Sequence, residues 1–187
     1  MLVRQLLKGG RRNVNADGLP DYVQEQYLTI NSYSRPGIAT DTIRGIVIHN
    51  TAVPGRTAQE SRDYFEGLSA SHETRASSNF IIGIEGEVIA AVPLGEVAYA
   101  SNNRNMDTIS IECCHSDEEG KFTDETYASL VKLTAWLCEQ YGLSEEAVIR
   151  HYDITRKMCP RYYVEHEDAW KTFLTDVKNA GTEEEES

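Results

Sequence analysis

The sequence predicts one α/β domain built on a central mixed β-sheet flanked by helices. Three observations carry that expectation. Short apolar runs bounded by turn residues alternate with segments of helical period, the pattern of a sheet covered by helices. A Glu85-Gly86 turn between two such runs makes part of the sheet antiparallel. The chain has 187 residues and is 40% hydrophobic, the dimensions of one core rather than two.

Residues 1–40 are polar and rich in turn formers (Gly9-Gly10-Arg11-Arg12, then Pro36-Gly37), and read as an arm leading into or wrapping the domain. The domain itself is expected over 41–178. Gly45-Ile-Val-Ile-His49 is a short apolar run, consistent with a buried central strand. Thr57-Ala-Gln-Glu60 has capping-box spacing and opens a helix to about Leu68. The runs 79–83 and 87–92 flank the Glu85-Gly86 turn as a hairpin. Thr108–Cys113 alternates strictly. Ile109, Ile111 and Cys113 face a core, while Thr108, Ser110 and Glu112 line something polar. Thr123 caps a long helix whose Tyr127, Leu130, Leu137, Cys138 and Tyr141 keep the helical period, and Gly142 ends it. A strand over 148–150 leads to His151. A last amphipathic helix follows over about 165–178, and the acidic residues 179–187 read as a disordered, solvated tail.

Composition excludes several classes. Eighteen Lys and Arg against thirty Asp and Glu give a net charge of −12, the opposite of a nucleic-acid footprint or a polybasic membrane patch. No apolar run is long enough to span a bilayer. The first eight residues carry basic side chains but no apolar stretch, so they do not read as a secretory signal. The expectation is cytoplasmic synthesis. Cys113, Cys114, Cys138 and Cys159 do not form a disulfide framework and read as reduced thiols.

Candidate chemistry gathers at strand ends. His49 ends one strand, His151 follows another, and Cys159 lies eight residues beyond His151. Two imidazoles and one thiolate make a three-ligand set for Zn²⁺ with the fourth position open to water, and N and S donors do not suit hard cations. Spacing alone does not decide, because a histidine near a strand end is more often a hydrogen-bonded structural residue.

The order of motifs adds to this. Ile46-Val-Ile-His-Asn-Thr-Ala52, Ser78-Asn-Phe-Ile-Ile-Gly83, Ile109-Ser-Ile-Glu112 and Arg150-His-Tyr-Asp-Ile-Thr-Arg-Lys-Met-Cys-Pro160 follow one another along the chain. Together they resemble the zinc-dependent N-acetylmuramoyl-L-alanine amidases (type-2 amidases), the group shared with peptidoglycan recognition proteins and many phage endolysins. The resemblance covers about residues 41–175, and the closing segment with its internal lysine is the most specific part. It implies an amidase-like single domain acting on peptidoglycan as a monomer, after release or export. The bond cut is the amide between the lactyl group of N-acetylmuramic acid and L-alanine. It implies His49, His151 and Cys159 as zinc ligands, Lys157 as the cation beside the scissile carbonyl, and Glu112 as the catalytic carboxylate. One departure stands out: many members have Tyr where this chain has Ser78, which leaves Glu112 as the natural proton carrier.

Other residues are open to two readings. Asn79, Asn103 and His72 are candidate substrate contacts, with a solvated turn or an ordinary loop histidine as the alternative for the last two. Cys113-Cys114-His115 is not read as a metal site, because adjacent residues on a strand diverge. Two other functions compete with the amidase: a wall-binding module of the same fold, and a thiol hydrolase using Cys159 as nucleophile and His151 as base.

Overall fold

The computed structural model describes residues 18–183. Six strands, β1 (Val23–Glu25), β2 (Gly45–Asn50), β3 (Phe80–Ile82), β4 (Val88–Ala90), β5 (Thr108–Cys113) and β6 (Val148–Arg150), form one sheet in the order β1-β4-β3-β5-β2-β6. Only β3 and β4 pair antiparallel, across the turn holding Gly86; the other neighbours are parallel. The sheet is mixed, as expected.

Side-chain alternation assigns its two faces. Ile46, Ile48, Phe80, Ile82, Ile109 and Ile111 point into one apolar cluster. There they meet Leu130, Leu133 and Leu137 of α2 (Asp124–Tyr141), and Phe173 and Val177 of α5 (Glu167–Glu183). Each such side chain stabilises by about 1.5–3 kcal/mol relative to solvent exposure. Ile81 and Ile89 point the other way, onto Ala58, Phe65 and Leu68 of α1 (Ala58–Ser71). Strand neighbours of the first set, Val47 and His49 on β2 and Ser110 and Glu112 on β5, share this second face. It carries the polar groups.

The caps follow the sequence. Thr57 accepts from the Glu60 amide while Glu60 accepts back from the Thr57 amide, completing the capping box of α1. Thr123 caps α2, and Gly142 closes it in a left-handed conformation. Two short helices, α3 (His151–Thr155) and α4 (Arg161–Glu165), sit between β6 and α5.

Two boundaries differ from expectation. Of the arm, residues 1–17, including the basic amino terminus, lie outside the described residues. The rest is not merely a wrap: β1 pairs with β4, and Leu19, Val23 and Leu28 are buried in the two apolar clusters. A three-residue Val-Gln-Glu strand is too short to show alternation, which is why its pattern is silent. At the other end α5 runs five residues past its expected stop, to Glu183, so the segment 179–183 is helical rather than a disordered tail. Residues 184–187 lie outside the described residues. All four cysteines are free and buried.

Candidate metal centre

The register of β2 on β5 sets His49 directly beside Glu112 on the polar face. Both sit near the carboxyl ends of their strands, where the backbone ladder gives way to loops. His151 arrives from the next strand over, as the first residue of α3. Its approach is braced by Arg150, whose guanidinium donates to Asp153, to Glu167 and to the Tyr163 carbonyl. After α3 the chain turns at Arg156, in the left-handed region at φ 65°, and folds back so that the Tyr152 amide donates to the Cys159 carbonyl at 2.9 Å. That turn returns Cys159 to the side of His151 despite the eight-residue separation.

The result is a buried cluster of His49, His151 and Cys159, whose donor atoms all lie within 4.8 Å of one another. Cys159 Sγ is 3.9 Å from His49 Nδ1 and accepts from the Asn50 amide at 3.4 Å. The two imidazoles meet edge to face, with centroids 4.8 Å apart. Their Nε2 atoms point away from the cluster, that of His151 to Asn102 Oδ1 at 2.8 Å and that of His49 to Ser101 Oγ at 3.4 Å. His151 Nδ1 is buried with no hydrogen-bond partner among the described residues. An orphaned ring nitrogen facing a second imidazole and a thiol is a donor set suited to a metal ion, and a soft one.

Electrostatics agree. Burial holds His49 well below the usual histidine range, helped by His151 and Lys157, and burial and Lys157 lower His151 in the same way. Both rings are therefore neutral with a lone pair to offer. Burial pushes the Cys159 thiol up to about 12, so without a cation it is no ready nucleophile. Glu112 has one carboxylate oxygen buried without a hydrogen-bond partner among the described residues, and burial raises the group to about 8 against the opposing pull of Lys157. Lys157 is itself exposed, yet its charge reaches all four groups.

The remaining candidates separate. Asn103 is exposed, on the short 3₁₀ turn Asn102–Arg104 beside the cluster. Asn79 is fully buried: Oδ1 accepts from the Ser110 amide and hydroxyl, and Nδ2 is directed at the carbonyls of Val92, Pro93 and Glu96. It stitches β3 to β5 and has no surface to offer a substrate. His72 caps α1 at φ 56° and stacks on Tyr33 with centroids 4.2 Å apart, a structural engagement, and it is not one of the three clustered donors. Ser78 is likewise buried, donating to the Phe80 carbonyl at 2.7 Å. His115 ties the loop after β2 to the loop after β5 through the carbonyls of Thr51 and Asp117. Sequence reasoning missed Ser101, and it reads Asn102 only as part of the polar run Asn102-Asn103-Arg104-Asn105, open to a sugar or peptide contact or to a solvated turn, not as a partner of His151.

Comparison with known proteins gives one consistent result. The profile of the family described as N-acetylmuramoyl-L-alanine amidase matches residues 39–162. The N-acetylmuramoyl-L-alanine amidase CwlL of Bacillus licheniformis is 35% identical over 167 residues, covering 83% of this chain and 46% of that protein. The amidase BlyA of Bacillus subtilis (strain 168) is 30% identical over 173 residues, 81% of this chain and 46% of that protein. The chain thus spans about half the length of the curated relatives it matches. Among solved structures, the catalytic domain of XlyA superposes with a TM-score of 0.70 at 24% identity, covering 83% of this chain and 98% of that one. The PlyG catalytic domain gives 0.72 at 22% identity, covering 85% and 94%. These structures share the fold.

Proposed function

Because the chain belongs to the N-acetylmuramoyl-L-alanine amidase family, we propose that it hydrolyses the amide between the lactyl group of N-acetylmuramic acid and L-alanine in peptidoglycan, with Zn²⁺ held by His49, His151 and Cys159. The observation that carries this reading is the convergence of those three donors within 4.8 Å, beside an under-satisfied carboxylate on the neighbouring strand. The chemistry zinc supplies when bound is a water acidified from 15.7 to about 7 and a polarised carbonyl.

The chain's own groups do the rest. Glu112 takes the proton from the attacking water and hands it to the leaving amine of L-alanine. Its carboxyl, raised to about 8 by burial, is lowered again by positive charge at the cluster, toward the range where one group serves as both base and acid. Lys157 steadies negative charge developing on the carbonyl oxygen. Asn103, exposed on the turn beside the cluster, is the proposed contact to sugar or peptide. Ser78 takes no part, since its hydroxyl is spent on the backbone.

Zinc content measured together with release of L-alanine amino groups from purified peptidoglycan tests this. One equivalent of zinc, activity abolished by chelation and restored by zinc, and loss of both in Cys159→Ser are the expected results. Chelator-insensitive hydrolysis would indicate a thiol hydrolase instead. Zinc and wall binding without product would indicate a binding module.

A further inference from the structure

The two imidazoles of the cluster are gripped from outside by a single two-residue step, Ser101-Asn102, in the loop between β4 and β5. Asn102 Oδ1 meets His151 Nε2 at 2.8 Å, and Ser101 Oγ meets His49 Nε2 at 3.4 Å. An amide oxygen only accepts, so His151 carries its proton on Nε2, and its lone pair lies on Nδ1, the buried atom with no partner among the described residues. The step is built to hold still. Asn105 Oδ1 accepts from the Ser101 amide at 2.6 Å and the Ala100 amide at 3.2 Å, the Arg104 amide donates to the Ser101 carbonyl, and the Tyr99 amide donates to Ser77 Oγ. Asn102 adopts φ 53°, a left-handed conformation that asparagine tolerates better than most side chains. A residue exposed to solvent, in an uncommon backbone conformation, with its one acceptor on a buried ring, has a specific task.

We propose that Asn102 is a positioning residue of the metal centre. It locks His151 in the tautomer that presents Nδ1 to the ion, and Ser101 steadies His49 in the same sense through a longer contact. This rests on reading the three-residue cluster as a metal site. The partner of a ligand histidine fixes its ring and raises its basicity, and removing such a partner weakens metal binding by roughly 10–100-fold.

Three variants separate the acceptor from the backbone. Asn102→Gly keeps the left-handed conformation without strain but has no acceptor. Asn102→Asp keeps an acceptor that cannot donate. Asn102→Ala loses both. Zinc affinity is read by competition with a chromogenic chelator, without substrate, alongside thermal melts of the zinc-free proteins. Asn102→Gly is expected to bind zinc about 10–100-fold more weakly with an unchanged zinc-free melting temperature. Asn102→Asp is expected to match or exceed the parent. Histidine-ring ¹⁵N shifts of the zinc-loaded parent should show the metal on His151 Nδ1 and the proton on Nε2. Parental zinc affinity in Asn102→Gly, an equal loss of its zinc-free stability, or metal on Nε2 would each overturn the assignment. A parent that binds no zinc would overturn the metal reading itself, a failure distinguishable from these.

Discussion

Glu112 shows how a sheet can hold a carboxyl group out of water. Alternation puts it on the polar face, parallel pairing puts it beside His49, and burial leaves one of its oxygens without a partner among the described residues. Its carboxyl titrates at about 8 in the fold, against about 4.5 for the free side chain. Between those values the folded protein keeps a proton that the unfolded chain has released. The stability this contributes is complete below about 4.5 and is lost as pH rises through about 8. Glu112→Gln has no such dependence. Zinc-free melts should place the variant above its parent at pH 8, with the two converging as pH falls toward 4.5. Turnover should fall by about 10²–10⁴ with zinc retained, while Ser78→Ala changes turnover little by comparison. Loss of turnover together with loss of stability at pH 8 would make Glu112 a packing group. The placements of His49, His151 and Glu112 were legible because strand ends and strict alternation announce themselves in sequence; Cys159 entered through its spacing from His151 and the family resemblance, and the turn at Arg156 that returns it was not legible. Asn79 and Asn102 were not, since an asparagine that stitches strands and one that orients a ring look alike until the chain is folded.

Elements tell a similar story at larger size. The capping box at Thr57, the Thr123 and Gly142 ends of α2 and the alternating β5 are local signals, and the fold keeps them. What sequence could not reveal is set by long-range pairing. β1 exists because β4 offers it an edge, and the short α4 lies where Arg150 and Glu167 draw the chain together. The turn between β3 and β4 also answers to a distant neighbour. Gly86 has φ 83°, and a Cβ there would lie 2.9 Å from the Glu125 carbonyl oxygen of α2. Gly86→Ala should cost about 1–3 kcal/mol in urea unfolding, from strain and from pushing the hairpin off the helix. A fragment beginning at residue 41 should fare worse, although the family match begins at 39. It would bare the edge of β4 and uncover the Leu28 contact, so lower solubility and an earlier melt than the longer chain are expected. Equal stability of the two would make β1 dispensable.

At the scale of the whole molecule, charge and connectivity matter more than any contact. On the proposed function, a chain of net charge −12 approaching an anionic wall would be repelled over a Debye length, about 30 Å at 0.01 M salt and 8 Å at 0.15 M. Hydrolysis of intact wall should therefore quicken as salt rises through that range, while a small neutral muramyl peptide is cut at a steady rate; a flat response on both would show that charge does not limit access. Connectivity has the longer reach. His49 and Cys159 stand 110 positions apart, so an ion joining them ties a loop of that size. A cross-link across about 100 residues removes on the order of 4.7 kcal/mol of unfolded-chain entropy, and chelation should lower the melting temperature by roughly 10 °C. The same span sets a clock during synthesis. On the proposed metal reading, a ribosome delivers His49 early and Cys159 110 positions later, so nascent or truncated chains that stop short of residue 159 hold an incomplete donor set. The donor set closes in one step, when Cys159 emerges and the turn behind α3 returns it to His151.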